Sequence, residues 1–305
     1  MRDLVAEALA GVAERPVVRR ELRRDRGRTL RWVELGAGPR VVLVAGSGEM
    51  ALDWATVMPG LADAARVIAY DRAGSGASDP LPHLSVEAEI EDLAALLAST
   101  GPAVVVGHSW GGGLLVQLTA MQHPELFRGM VLVDASHETV LGSVPRHWRL
   151  VERGMGVAVV TLDRCGLFQR LARGQGRKLA ESTTDDPALR GLVVEAYLDS
   201  YSRRHQVAMI RDEARLSDHA VAWIRGRRAE ASLPDVPLVA LSATRKPESI
   251  RRLSMAATTG VCASVPRGRH VVLESGHYIH HDRPAAVIEA VTDVLRAQGG
   301  RGTER

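Results

Sequence analysis

The chain has 305 residues, 46% of them hydrophobic and 25% charged, a net charge of +3 and few aromatics, at 4%. That length can bury a large core, and the ordinary composition excludes a disordered or fibrous chain. Nearly all the cations are arginine, and no apolar run approaches the ~20 residues of a transmembrane helix, so neither a nucleic-acid footprint nor a membrane span is expected.

In chain order, "MRDLVAEALAGVAERP" is broken by Asp3, Glu7 and Glu14 and is no signal peptide; Leu4, Val5, Ala8, Leu9 and Val12 predict one face of a short helix. Strands are expected at Val17–Leu22 and Thr29–Leu35, joined by "RDRG" as an antiparallel edge hairpin. The basic run Arg19 to Arg28 alternates with Glu21 and Asp25 and reads as a solvated strand pair. Further strands follow at Val41–Ala45, Val67–Tyr70, Ala103–Val106, Met130–Val133, Leu238–Leu241 and His270–Leu273. Helical patterns lie between them at Leu52–Ala64, Val86–Ser99, Gly113–His123 and Ala285–Ala297. Several strands are apolar throughout, as in a parallel sheet covered on both faces. From His137 to Leu233 the alternation stops and only helical patches appear, too long a stretch for a loop. The predicted organisation is an α/β core over residues 1–136 and 234–305, with an inserted helical cap over 137–233. Cys165 and Cys262 lack metal or redox spacing and fit free thiols in a reducing, cytoplasmic setting.

The chemistry concentrates at "VVVGHSWGGGLL", where a β-branched run passes through Gly107-His108-Ser109-Trp110-Gly111 into a helical pattern. Glycines two residues either side of Ser109 leave room for a strained turn that lifts the hydroxyl above the sheet and sets the Trp110 N–H at a helix start, facing a developing oxyanion. A serine hydroxyl needs a base. His277, in "VVLESGHYIHHDRP" beyond the last strand, is the candidate; His108 is expected to point away as packing or polar support. His280, His281 and Asp282 lack ligand spacing for a metal.

With these residues the chain resembles the α/β-hydrolase superfamily. "HSWGG" is similar to its nucleophile elbow, "SGHYIHHDRP" to its histidine loop, "YDRAGSGASD" to the signature after the fourth strand and "VLVAGSGEMALDW" to the oxyanion segment after the third. The resemblance implies an α/β-hydrolase fold, a mostly parallel sheet with flanking helices and a helical cap. It also implies an acyl-enzyme on Ser109, with His277 as general base and then acid. Two positions depart from the pattern. Ala45 stands where the family carries histidine, leaving the Ser47 and Trp110 N–H groups as the implied oxyanion hole. Lys246, in "LSATRKPES", stands where the family places its acid, and a lysine cannot orient an imidazole. Asp134, ending the strand after the nucleophile helix, is the preferred acid and Glu248 the runner-up.

"GSGEMA" followed by Asp71 also resembles a dinucleotide fingerprint, but it follows the third strand instead of the first. The expected function is therefore hydrolysis of a small, mostly apolar ester-like substrate, without metal or cofactor. Pocket walls are sought at Trp148, Phe168, Tyr197, Tyr201 and Trp223. A proline-iminopeptidase-type amidase, a carbon–carbon bond hydrolase and a non-catalytic ligand-binding member remain alternatives. A nucleic-acid or membrane partner is not expected, and oligomeric state is not legible.

Overall fold

The computed structural model describes residues 2–143 and 167–299, with 158, 159, 161, 162 and 165 between them. An 8-stranded sheet runs in the order β1-β2-β4-β3-β5-β6-β7-β8. Its strands are β1 (Val18–Arg23), β2 (Thr29–Leu35), β3 (Arg40–Val44), β4 (Arg66–Asp71), β5 (Ala103–His108), β6 (Phe127–Val133), β7 (Leu238–Ala243) and β8 (Gly268–Leu273). β1 and β2 form the expected antiparallel edge hairpin, β2 is also antiparallel to β4, and every later pairing is parallel.

Alternate residues of the apolar strands feed two cores, because successive side chains leave a strand on opposite faces. Val41, Leu43, Val104 and Val106 face α1 (Leu4–Ala13) and α11 (Pro284–Gly299). Val42, Val44, Val105 and Leu132 face α3 (Val86–Thr100), α4 (Leu115–Gln122) and α9 (Glu248–Ala263). Four arginines of the basic run are matched by carboxylates: Arg19 with Asp3, Arg20 with Glu34, and both Arg24 and Arg28 with Asp92.

Two elements differ from expectation. The helix expected over Leu52–Ala64 is a 3-10 turn at Ala51–Trp54 and one helical turn, α2 (Met58–Leu61). Pro59 and Gly60 interrupt what the apolar spacing alone would continue. α9 is absent from the expected helices, although Ile250, Leu253, Ala257 and Val261 keep a helical spacing on its inner side.

Between β6 and β7 the described chain forms α5 (Glu138–Ser143), α6 (Phe168–Thr183), α7 (Pro187–Tyr201) and α8 (Arg204–Glu230). α10 (Ile279–Asp282) follows β8. α7 packs on α1, where a Cβ at Gly11 would stand 2.7 Å from Leu189 Cδ1. Cys165 and Cys262 are free thiols. Among the described residues no helix is long and apolar enough to cross a membrane.

Candidate active site

β5 ends at His108, and Ser109 reverses the chain at φ 54°, a left-handed conformation that a non-glycine residue holds only when its surroundings impose it. Two close approaches surround it. A Cβ on Gly46 would sit 3.1 Å from Ser109 Cβ, and a Cβ on Gly113 would sit 2.4 Å from Ala135 Cβ. Glycine at both positions lets the oxyanion segment and the loop after β6 close on the turn. The helix then opens with a π-helical turn, Trp110–Leu114, before α4.

His277 reaches this turn from the loop after β8. Its Nε2 lies 2.9 Å from Ser109 Oγ and its Nδ1 lies 2.5 Å from Asp134 Oδ2. The His277 side chain is 42% exposed, whereas that of Asp134 is 0% exposed. Asp134 is itself in a left-handed conformation, φ 43°, at the end of β6. Its second oxygen accepts from the Ala243 N–H at 3.1 Å and from Lys246 Nζ at 2.7 Å. Burial alone would raise the Asp134 carboxyl, but the hydrogen bond from His277 and the Lys246 charge outweigh it and hold it below the usual carboxylate range.

The lysine at the family's acid position therefore pairs with a carboxylate that arrives from β6. Glu248, the runner-up, is 60% exposed and pairs with Arg251 at the start of α9.

His108 is buried, with Nδ1 2.9 Å from Glu49 Oε2 and Nε2 3.0 Å from the His277 carbonyl oxygen. Glu49, which also accepts from the Gly46 N–H, was not singled out in the sequence. Its partner lies 59 residues away, and only the acid inside a glycine-rich turn hinted at it.

The oxyanion segment is held from several sides. Arg72 donates to the carbonyls of Ala45 at 3.2 Å and Gly46 at 2.8 Å, anchoring the segment where the family's histidine is missing. The Gly48 N–H donates to Glu213 at 3.0 Å, and its carbonyl accepts from Tyr201 Oη at 2.6 Å and Gln206 Nε2 at 3.0 Å. Ser47, between them, is exposed, and Trp110 is buried at the start of the π-turn.

Phe168, Tyr197 and Tyr201 form one aromatic cluster, with centroids 5.8 Å apart for Phe168–Tyr201 and 4.7 Å for Tyr197–Tyr201. Trp223 lies elsewhere, packed with the cluster containing Trp110 and stacked under Arg227. Trp148 lies outside the described residues.

The carboxylate of Asp71 accepts from the Ala51 and Ala77 N–H groups, at 2.8 and 2.9 Å, which leaves it engaged with backbone instead of facing a ribose. The His280 and His281 rings meet edge to face, 4.2 Å between centroids, while Asp282 turns to backbone. His280 lies tilted against Trp54, His281 meets the Asp53 carbonyl, and Asp282 accepts from the Gly276 N–H.

Residues 41–290 match the alpha/beta hydrolase family. The chain belongs to that family. Pig bifunctional epoxide hydrolase 2 is 38% identical over 114 residues, 35% of this chain and 20% of that protein. Esterase Rv0045c of Mycobacterium tuberculosis is 29% identical over 272 residues, 87% of this chain and 85% of that one. The crystal structure of Cfl2 from Burkholderia cenocepacia superposes with a TM-score of 0.69 at 24% identity, covering 91% of this chain and 95% of that one. The last likeness concerns the fold alone.

Proposed function

We propose that this α/β hydrolase is a serine esterase that cleaves a small, mostly apolar ester-like substrate through an acyl-enzyme on Ser109. The observation that carries the reading is the line Ser109 Oγ, His277, Asp134, with 2.9 and 2.5 Å at its two junctions. Ser109 Oγ attacks the acyl carbon while its proton passes to His277 Nε2. The buried Asp134 carboxylate stabilises the imidazolium so formed, and that proton then leaves with the departing alcohol. Water, deprotonated by the same nitrogen, releases the acid. The Ser47 and Trp110 N–H groups hold the oxyanion, and the helices between β6 and β7 cap the substrate.

Among the relatives, one is named an esterase and another an epoxide hydrolase. The serine at position 109 favours the former, because epoxide opening in this superfamily resembles attack by an aspartate at that place. The Lys246–Asp134 pair also removes the main reason to read a non-catalytic binding protein, since the lysine supports an acid instead of replacing one.

The test is labelling by a fluorophosphonate, followed by a screen of p-nitrophenyl esters of increasing acyl length. Wild type is expected to label on Ser109 and turn over short esters, and Ser109→Ala to do neither while melting at the same temperature. Esterase activity retained by Ser109→Ala would end the assignment.

A further inference from the structure

His108 lies between the two halves of the candidate site, and both of its ring nitrogens face acceptors. Nδ1 meets the Glu49 carboxylate at 2.9 Å and Nε2 meets the His277 carbonyl at 3.0 Å. A neutral imidazole carries one N–H, so it serves one acceptor and turns a lone pair toward the other; an imidazolium serves both. Glu49 in turn accepts from the N–H of Gly46, the residue before Ser47.

We propose that His108 is a charged clamp, a positioning residue whose imidazolium ties Glu49 under the oxyanion segment to the backbone of His277, and so fixes the oxyanion hole relative to the general base.

The surrounding charges favour that state. Facing the pair are Asp53 and the histidines 277, 280 and 281, with Tyr278 against the His108 ring, Asp134 beyond His277, and Glu213, Tyr197 and Tyr201 toward Glu49 from the inserted helices. Burial and the Glu49 charge push the Asp53 carboxyl well up. Burial and the His108 charge push His280 well down, and burial also lowers His281. Glu49 is the carboxylate in direct contact with His108. Burial would lower the His108 ring, but the Glu49 charge and hydrogen bond outweigh it and raise it. Gly46 packs closely on the pair, since a Cβ there would stand 2.7 Å from Glu49 Oε2 and 2.8 Å from His108 Nδ1.

Glu49, His108 and His280 also bring ligand-type atoms within 4.8 Å of one another. A metal there would take the Nδ1 lone pair that the clamp fills with a proton, so the two arrangements exclude each other.

The decisive experiment needs no substrate. Long-range ¹⁵N–¹H correlation spectra of uniformly labelled wild-type protein, with His108 assigned through the backbone, report whether each ring nitrogen carries a proton. Both are expected to be protonated at pH 7.5, in wild type and in Ser109→Ala alike. A neutral His108, whether the proton sits on Glu49 or a stoichiometric metal occupies Nδ1, overturns the clamp.

A kinetic arm rests on the esterase reading. Glu49→Gln and His108→Gln are each expected to lower kcat about 10-fold, with KM within about threefold, as for a misplaced but intact catalytic group. The double variant should be no worse than the poorer single variant. The alkaline limb of kcat should move to lower pH in Glu49→Gln, because His108 loses its counter-charge. Unchanged kcat and pH profiles in both variants would overturn the positioning role even if the ring is charged. Failure of wild type to react with fluorophosphonate would instead strike the esterase reading and leave the protonation result standing.

Discussion

At the scale of single residues, the acid of the proposed triad has two candidates, and their surroundings separate them. Asp134 is buried on His277 Nδ1 and Lys246, whereas Glu248 is exposed beside Arg251. Removing the carboxylate of a Ser-His-Asp triad costs on the order of 10⁴-fold in kcat in the best-studied case. We expect Asp134→Asn to lose at least ~10²-fold in kcat, and Glu248→Gln to stay close to wild type. Asp134→Asn also strips Lys246 of its counter-charge, and an uncompensated, largely buried ammonium destabilises a fold. Combining it with Lys246→Met should therefore restore thermal stability without restoring turnover, separating chemistry from folding. Recovery of rate in the double variant would show that the Asn variant failed for want of structure.

At the scale of elements, α7 and α8 converge on one residue of the core, Gly48. Tyr201 and Gln206 share the Gly48 carbonyl, and Glu213 accepts its N–H. Gly48 adjoins Ser47, so any shift of these helices reaches the proposed oxyanion donor. Tyr201→Phe removes one of these bonds and keeps the ring in its aromatic cluster. We expect it to lower kcat about 10-fold on every ester, less than the 10²–10³-fold for loss of a direct oxyanion donor, with KM little changed. Trp223 lies apart from Gly48, so Trp223→Ala should instead alter preference among acyl lengths. Steady-state kinetics across an acyl series distinguishes them, and a uniform loss in Trp223→Ala would indicate packing.

The elements were legible to different degrees. β3 and β5 were readable because strands covered on both faces are apolar throughout, and Ser109 and His277 because their local motifs are distinctive. The helix over Leu52–Ala64 was over-read because apolar periodicity outvoted Pro59 and Gly60. The Asp134–His277 contact spans 143 residues and the Gly48–Glu213 contact 165, so no local pattern carries them. Choosing between Asp134 and Glu248 required knowing which strand end faces the histidine loop. The Lys246 departure left the acid to be chosen between Asp134 and Glu248, because the partner arriving from β6 is invisible from the lysine's own neighbourhood.

At the scale of the molecule, one buried ion cluster joins sheet, flanking helix and inserted helices, and it should govern stability near neutrality. Arg72, after β4, pairs with Glu89 of α3 and Glu213 of α8, and all three side chains are essentially inaccessible. One guanidinium faces two carboxylates where water cannot screen them. Burial, opposed by Arg72 and reinforced by Glu213, pushes the Glu89 carboxyl up to about 7. An unfolded glutamate releases its proton near pH 4.3, so between that value and about 7 the folded chain binds the extra proton. The contribution of Glu89 to stability is therefore fully present below the unfolded value and is lost as pH rises through the folded one. The slope is at most about 1.4 kcal/mol per pH unit. Glu89→Gln keeps an acceptor for Arg72 and removes the titration. Its melting temperature should accordingly fall less than that of wild type between about pH 5 and about pH 8, gaining on wild type toward the alkaline end. Parallel melting curves for the two proteins over that range would mean that Glu89 is ionised throughout and that Glu213 or another buried carboxyl carries the proton.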